Sequence, residues 1–258
     1  MAQQDFVVLN KDEHKDLKIK HDPTLAHGKE SHLIAIAVNE YARAASSVPI
    51  VLIKDDKNDT YHSTGLYGLE ANKNLYFSEE GWQAHYAPLN LQRYPFDIRP
   101  EGEQLIVFID QGSELVNKDE GQALFDGDKA SEYLESRQRM LGDLVRGENM
   151  TREFIKEVDE MGLIDELNLG VIFKDGTRKN LVGLYNINEK KLHELTDEQV
   201  LQLHRRGFMG AIYAMLTSVG QLNRLVQLSQ NSDNPVQGIQ VLPKQEEQQQ
   251  QEAEAPTA

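Results

Sequence analysis

A chain of 258 residues, 39% of them apolar and 27% charged, is long enough to bury a substantial core as one large domain or two small ones. Its 42 carboxylates against 27 lysines and arginines give a net charge of −15, the wrong sign for wrapping a phosphate backbone, so no nucleic-acid partner is expected. The lack of cysteine excludes disulfides, thiolate zinc sites, iron–sulfur clusters and a cysteine nucleophile, and no cofactor is expected.

The first ten residues carry no basic region, and their apolar run is too short for a signal peptide. The longest apolar run, residues 33–38, is strand-sized, whereas a spanning helix needs roughly 20 residues. The expectation is a soluble, cytoplasmic chain that does not span a membrane. Residues 6–9, 33–38, 50–53, 105–109 and 171–173 are β-branched-rich runs bounded by turn residues and read as strands. Residues 65–67 and 74–77 flank a polar turn and predict a hairpin, and residues 181–187 and 191–193 predict another. Residues 51–55 resemble 171–175, and Gly65, Leu66 and Tyr67 resemble Gly183, Leu184 and Tyr185. Either a duplicated β unit or convergent strand–turn chemistry explains the likeness.

Helical spacing covers residues 129–146 and 151–161. Thr196 with Gln199 forms a capping-box pattern that opens a further helix. Its continuation from Phe208 to Val226 holds the longest apolar stripe, best explained by core packing. The whole is an α+β pattern: a mixed, mainly antiparallel sheet with helices packed on one side. The single globular domain is placed at 1–228. Residues 229–258, rich in Gln and Glu, have little to bury and are expected to form a disordered tail, with 239–242 a candidate docking segment.

Candidate chemistry is sparse. Four histidines, His14, His21, His27 and His32, lie among lysines and read as solvated surface groups. His14 and Asp16 match half of a facial iron triad, a pattern common by chance. His32 stands apart as a weak metal candidate because an apolar run follows it. Asp126 and Asp128 fail calcium-loop spacing, since Ser131 stands where Gly is needed and Arg137 where Glu is needed, so they read as a turn and helix cap. Nucleophile-elbow, phosphate-loop and dinucleotide-fold glycine motifs are absent. The segment from Gly81 to Phe96 gathers the only tryptophan with aromatic and basic groups, making Trp82, Arg93, Tyr94 and Phe96 the candidate ligand-binding residues. The structural alternative is a buried aromatic corner in which Pro95 ends a helix.

The same segment carries a family resemblance. Residues 48–51, Gly65 to Leu69, Asn74 to Tyr76, Gly81 and Trp82, Arg93 to Phe96, and Glu120 to Asp126 resemble the SapC-like family of bacterial proteins. Asp175 with Gly176, residues 181–185 and residues 212–214 extend the likeness to residues 5–228. The resemblance implies a link to a surface-layer locus, with members often beside flavin-dependent halogenase-like and outer-membrane receptor genes. It supplies no catalytic residues, and the transporter permease of similar name is a different protein. The leading expectation is an accessory or binding protein of a surface-layer, glycan or peptide-modification system. A protein partner is expected, with a peptide or glycan as candidate ligand. The alternatives are a metal-dependent oxygenase-type enzyme using His32 with distant carboxylates or histidines, and a structural scaffold.

Overall fold

A computed structural model describes residues 5–243 other than 56 and 103. The main strands are β1 Phe6–Val8, β2 Leu33–Ala35, β3 Ile50–Asp55, β4 Thr60–Leu66, β5 Phe96–Glu101, β6 Gln104–Asp110, β7 Ile164–Glu166, β8 Leu169–Phe173, β9 Arg178–Leu181, β10 Leu184–Ile187 and β11 Val236–Val241. The helices that matter here are α1 Leu89–Gln92, α2 Glu132–Glu160, α3 Asp197–Arg205, α4 Phe208–Ser218 and α5 Leu222–Leu228. The fold is α+β with mainly antiparallel sheets. A five-stranded sheet in the order β7-β10-β3-β4-β2 is central, flanked by three-stranded sheets β1-β6-β5 and β9-β8-β11. No helix among the described residues is long and apolar enough to cross a membrane.

The hydrophobic pattern explains the order. Ile50, Val51 and Leu52 are consecutive and all fully buried, so β3 sits mid-sheet with both faces covered. The main core joins that sheet to Phe154 and Val158 of α2, and to Phe208, Ile212 and Met215 of α4. A second core gathers Phe96, Ile109 and Leu124 against Leu134 and Leu141 from the other half of α2. The predicted helices at 129–146 and 151–161 are therefore one helix of 29 residues running past both cores. Ser131 caps it by accepting the Leu134 N–H. Gly147 is the contact point between the halves: a Cβ there would lie 2.6 Å from Asn39 Oδ1 and 2.9 Å from the Ala37 Cβ.

Several predicted elements are corrected. The run at 33–38 leaves strand geometry after Ala35, with one further bond from the Ile36 N–H to the Ser63 carbonyl, because the Thr151 hydroxyl takes the Val38 N–H and the Glu40 carboxylate the Ala37 N–H as residues 38–40 wind into a 3-10 turn. Residues 189–193 are a short helix capped by Asn188, not the second arm of a hairpin, while β10 pairs with β3 and β7. Between 67 and 75 the chain makes a tight turn closed by the Leu75 N–H on the Tyr67 carbonyl. The apolar stripe after Thr196 is interrupted at Gly207, whose φ of 75° ends α3 and starts α4 at a new angle.

The two similar segments share one device. Asp55 Oδ1 accepts the Lys57 N–H and Asp175 Oδ1 the Thr177 N–H, so both hairpin turns are closed by an aspartate. The likeness ends at the glycines. Gly65 lies inside β4, whereas Gly183, at φ 77°, turns the chain from β9 of one sheet to β10 of another.

The expected boundary at 228 is also moved. β11 pairs with β8 from Leu169↔Val241 to Phe173↔Val236, Val236 is buried, and Ser229 Oγ accepts the Val236 N–H. The segment at 239–242 thus completes this chain's own sheet. The Gln- and Glu-rich residues 244–258 lie outside the described residues.

Candidate functional site

A carboxylate builds the site from beneath. Glu40 is fully buried, yet its oxygens are saturated: Oε2 accepts the Ala37 N–H at 3.0 Å, and Oε1 accepts the Tyr86 hydroxyl at 2.7 Å and the Leu89 N–H at 2.8 Å. The last of these anchors the first turn of α1 and so aims the residues that follow it. Arg93 closes α1, Pro95 precedes β5, and the intervening side chains meet an open cleft of about 700 Å³. The opposite walls come from β2, the turn Ala26–Gly28, and the loop after Asp110.

Two charge networks shape the cleft. Asp97 Oδ1 accepts Arg93 Nη1 at 2.5 Å, and its Oδ2 accepts Arg99 Nε at 2.8 Å. The Arg99 guanidinium lies over the rings of Phe6 and Phe108, at 5.1 and 4.6 Å. In the second network Tyr94 donates its hydroxyl to Asp110 Oδ2 at 3.0 Å, and Asp110 Oδ1 accepts the N–H groups of Asp5 and Gly112. Burial raises the Tyr94 pKa, an effect that Asp110 reinforces and Ser113 opposes, so the phenol keeps its proton.

His27 stacks on Tyr94 with ring centroids 4.5 Å apart. Its Nε2–H donates to the Leu91 carbonyl at 2.9 Å, which leaves Nδ1 as the bare acceptor, buried and without a partner. Burial lowers the His27 pKa, against the smaller opposing pull of the Leu91 carbonyl and Asp22, and the imidazole stays neutral. At the rim, burial pushes the Asp22 carboxyl up, but hydrogen bonds from Thr24 and Ala26 outweigh it and hold the group below its usual range.

The four candidate residues do not all line one cleft. Arg93 and Tyr94 face the cleft, and Phe96 contributes to its floor while 99% buried in the second core. Trp82 is elsewhere: it packs on Tyr67 at 5.3 Å and Tyr76 at 6.1 Å and donates Nε1–H to the Tyr86 carbonyl.

The histidines need correction too. His14 is fully buried, with Gln111 donating to its Nε2 at 2.7 Å, because the charged segment around it folds back onto the loop after β6. His32 Nδ1 accepts the Asn72 N–H, and among the described residues no three His, Asp or Glu side chains gather to hold a metal.

A family model described as SapC matches residues 9–225. The chain belongs to the SapC family. No curated protein and no solved structure matches it. The SapC match includes Asp22, His27, Arg93, Tyr94, Asp97, Arg99 and Asp110, while Asp5 and Phe6, which complete the two networks, and β11 lie beyond it. Sequence reasoning passed over Asp97, Asp110 and His27. Asp97 could have been found from its i,i+4 spacing to Arg93; nothing local marks Asp110 or His27, which join the site through pairings with Asp5 and Leu91.

Proposed function

We propose that this SapC-family chain is a cytoplasmic accessory protein that binds a polar segment of a peptide or glycan for a surface-layer, glycan or peptide-modification system. The Arg93–Tyr94 cleft carries this reading. It offers a guanidinium held by half-buried Asp97, a protonated phenol held by buried Asp110, and an aromatic face where His27, fixed by the Leu91 carbonyl, stacks on Tyr94, so all are set by the chain rather than by the ligand. Such groups recognise hydroxyls, amides and carboxylates with little ordering cost, because their geometry is set before the ligand arrives. The setting is supported only by the link to surface-layer loci that the resemblance to the SapC-like family implies.

The test is affinity capture and calorimetry against the products of adjoining genes, with the native chain and Arg93→Ala. Asp97 keeps Arg99 as its partner in that variant, so the cleft loses a guanidinium without a buried carboxylate being stranded. Arg93→Ala should weaken the complex about tenfold or more while the unfolding midpoint stays near the native value. Absence of any partner at micromolar concentration overturns the proposal.

A further inference from the structure

A second cleft, of about 590 Å³, lies on the far side of Ala35 and Asn90, two residues that also line the Arg93 cleft. Its origin is a mismatch in strand length. β4 pairs with β3 over its whole length, from Ile50↔Gly65 to Asp55↔Thr60. β2 covers only Thr64 to Leu66 before the chain is wound away by Glu40. The Leu66 N–H donates to Pro49 on the β3 side, so the alternation of an antiparallel ladder turns residues 65, 63 and 61 the other way. The Ser63 carbonyl is taken by the Ile36 N–H. Two residues further on, the N–H and C=O of Tyr61 point past the end of β2, where no strand among the described residues pairs with them.

Helix α2 forms the facing wall, so this stretch of edge opens into a groove. The groove floor is apolar, from Ile36, Ala37, Tyr61 and Ile155. Its rim carries a slight excess of acid. Asp59 is paired with Lys54 and Lys156 with Glu160, while Arg152, which donates to the neutral Asn149 amide, keeps its charge against the two carboxylates Glu148 and Asp159. Glu148 and Asp159 form no ion pair among the described residues. The whole chain adds a net charge of −15.

We infer that this groove takes an extended peptide with alternating apolar and basic side chains, which adds as a strand to the open end of β4 beside Tyr61. Backbone pairing supplies attachment, alternate side chains enter the apolar floor, and the opposite ones meet Glu148 and Asp159. The inference rests on the reading of this chain as a binding protein and adds a second binding site, separate from the Arg93 cleft, with its own ligand chemistry.

The experiment uses the full chain at physiological ionic strength and three labelled heptapeptides. One alternates Lys and Val, the second replaces Lys with Glu, and the third is the Lys peptide methylated at alternate backbone amides. Fluorescence polarisation should show the Lys peptide binding at least about tenfold more tightly than either other, with hydrogen exchange slowed at the Tyr61 amide. The double charge reversal Glu148→Lys with Asp159→Lys changes two solvent-accessible groups and should weaken binding by a similar factor, while Arg93→Ala should not. Failure of the Lys peptide to bind, equal binding of its methylated form, or an unprotected Tyr61 amide overturns the inference. Loss of binding with Arg93→Ala but not with the charge reversal also overturns it, and leaves the Arg93 cleft as the binding site. If light scattering shows that the chain dimerises and the charge reversal abolishes the dimer, a second copy is the occupant and the inference fails.

Discussion

Replacing Glu40 tests how the cleft is held. Glu40→Ala would strand three donors at once: the buried Ala37 N–H, the Leu89 N–H and the Tyr86 hydroxyl. Hydrogen bonds to a charged acceptor contribute about 1.5–3 kcal/mol each, and a stranded buried donor costs about 1–3 kcal/mol. The Tyr86 hydroxyl is only partly buried and recovers a bond to water, so the total expected is about 3–5 kcal/mol. Glu40→Gln should cost less. Its carbonyl can still accept from Tyr86 and Leu89, but its amide then faces the Ala37 N–H, donor against donor. Urea unfolding followed by the fluorescence of Trp82 is the natural assay, since this single tryptophan donates to the carbonyl of Tyr86 itself. A cost below about 1 kcal/mol for Glu40→Ala, within reach of an ordinary surface change, would refute the argument that this carboxylate anchors α1. So would an equal cost for both variants.

Other expectations follow from the same structure. His27 is held neutral, its pKa lowered from 6.5 in the folded chain, so the unfolded chain binds the extra proton first. Its contribution is complete above 6.5 and is lost as pH falls through the lower folded value; the urea midpoint of the native chain should therefore drop more between neutral and mildly acidic pH than that of His27→Gln. Equal slopes would refute it. Gly147→Ala should destabilise by about 1–3 kcal/mol through overpacking against Ala37 and Asn39. In contrast, Gly210→Ala in α4, where a Cβ meets nothing within 4 Å, should stabilise by up to about 1 kcal/mol. Val236→Ala should cost about 1–3 kcal/mol by thermal unfolding, because this residue is buried in β11; a cost near zero would mean that β11 is not integral to the fold.

Where the pattern was local, the sequence was legible. The apolar runs at 50–53, 105–109 and 171–173 lie within β3, β6 and β8, and Thr196 with Gln199 forms the expected capping box. These features depend on neighbours a few residues away, so spacing alone reveals them. The errors arose where a distant group competed with local preference. Residues 36–38 are as apolar as 33–35, but the Thr151 hydroxyl takes the Val38 N–H, the next that a longer strand would offer to β4, and the Glu40 carboxylate holds the Ala37 N–H in a turn. Val236–Val241 is short and broken up by Gln237, Gly238 and Gln240, and it becomes a strand only because β8 presents an edge to it.

The functional candidates divide along the same line. The sequence alone determined an acidic α+β chain of the SapC family and drew attention to the stretch from Trp82 to Phe96. Tertiary structure decided which of those residues share a cleft. It set Arg93 and Tyr94 at an opening, placed Phe96 in its floor and put Trp82 in a separate aromatic cluster. It also brought in Asp110, fastened by the Asp5 N–H across β1 and β6, and His27, fastened to Leu91. The physical reason is sequence separation: bonds spanning 105 and 64 residues leave no periodic trace in the chain, and they exist only once the sheets and α1 have packed.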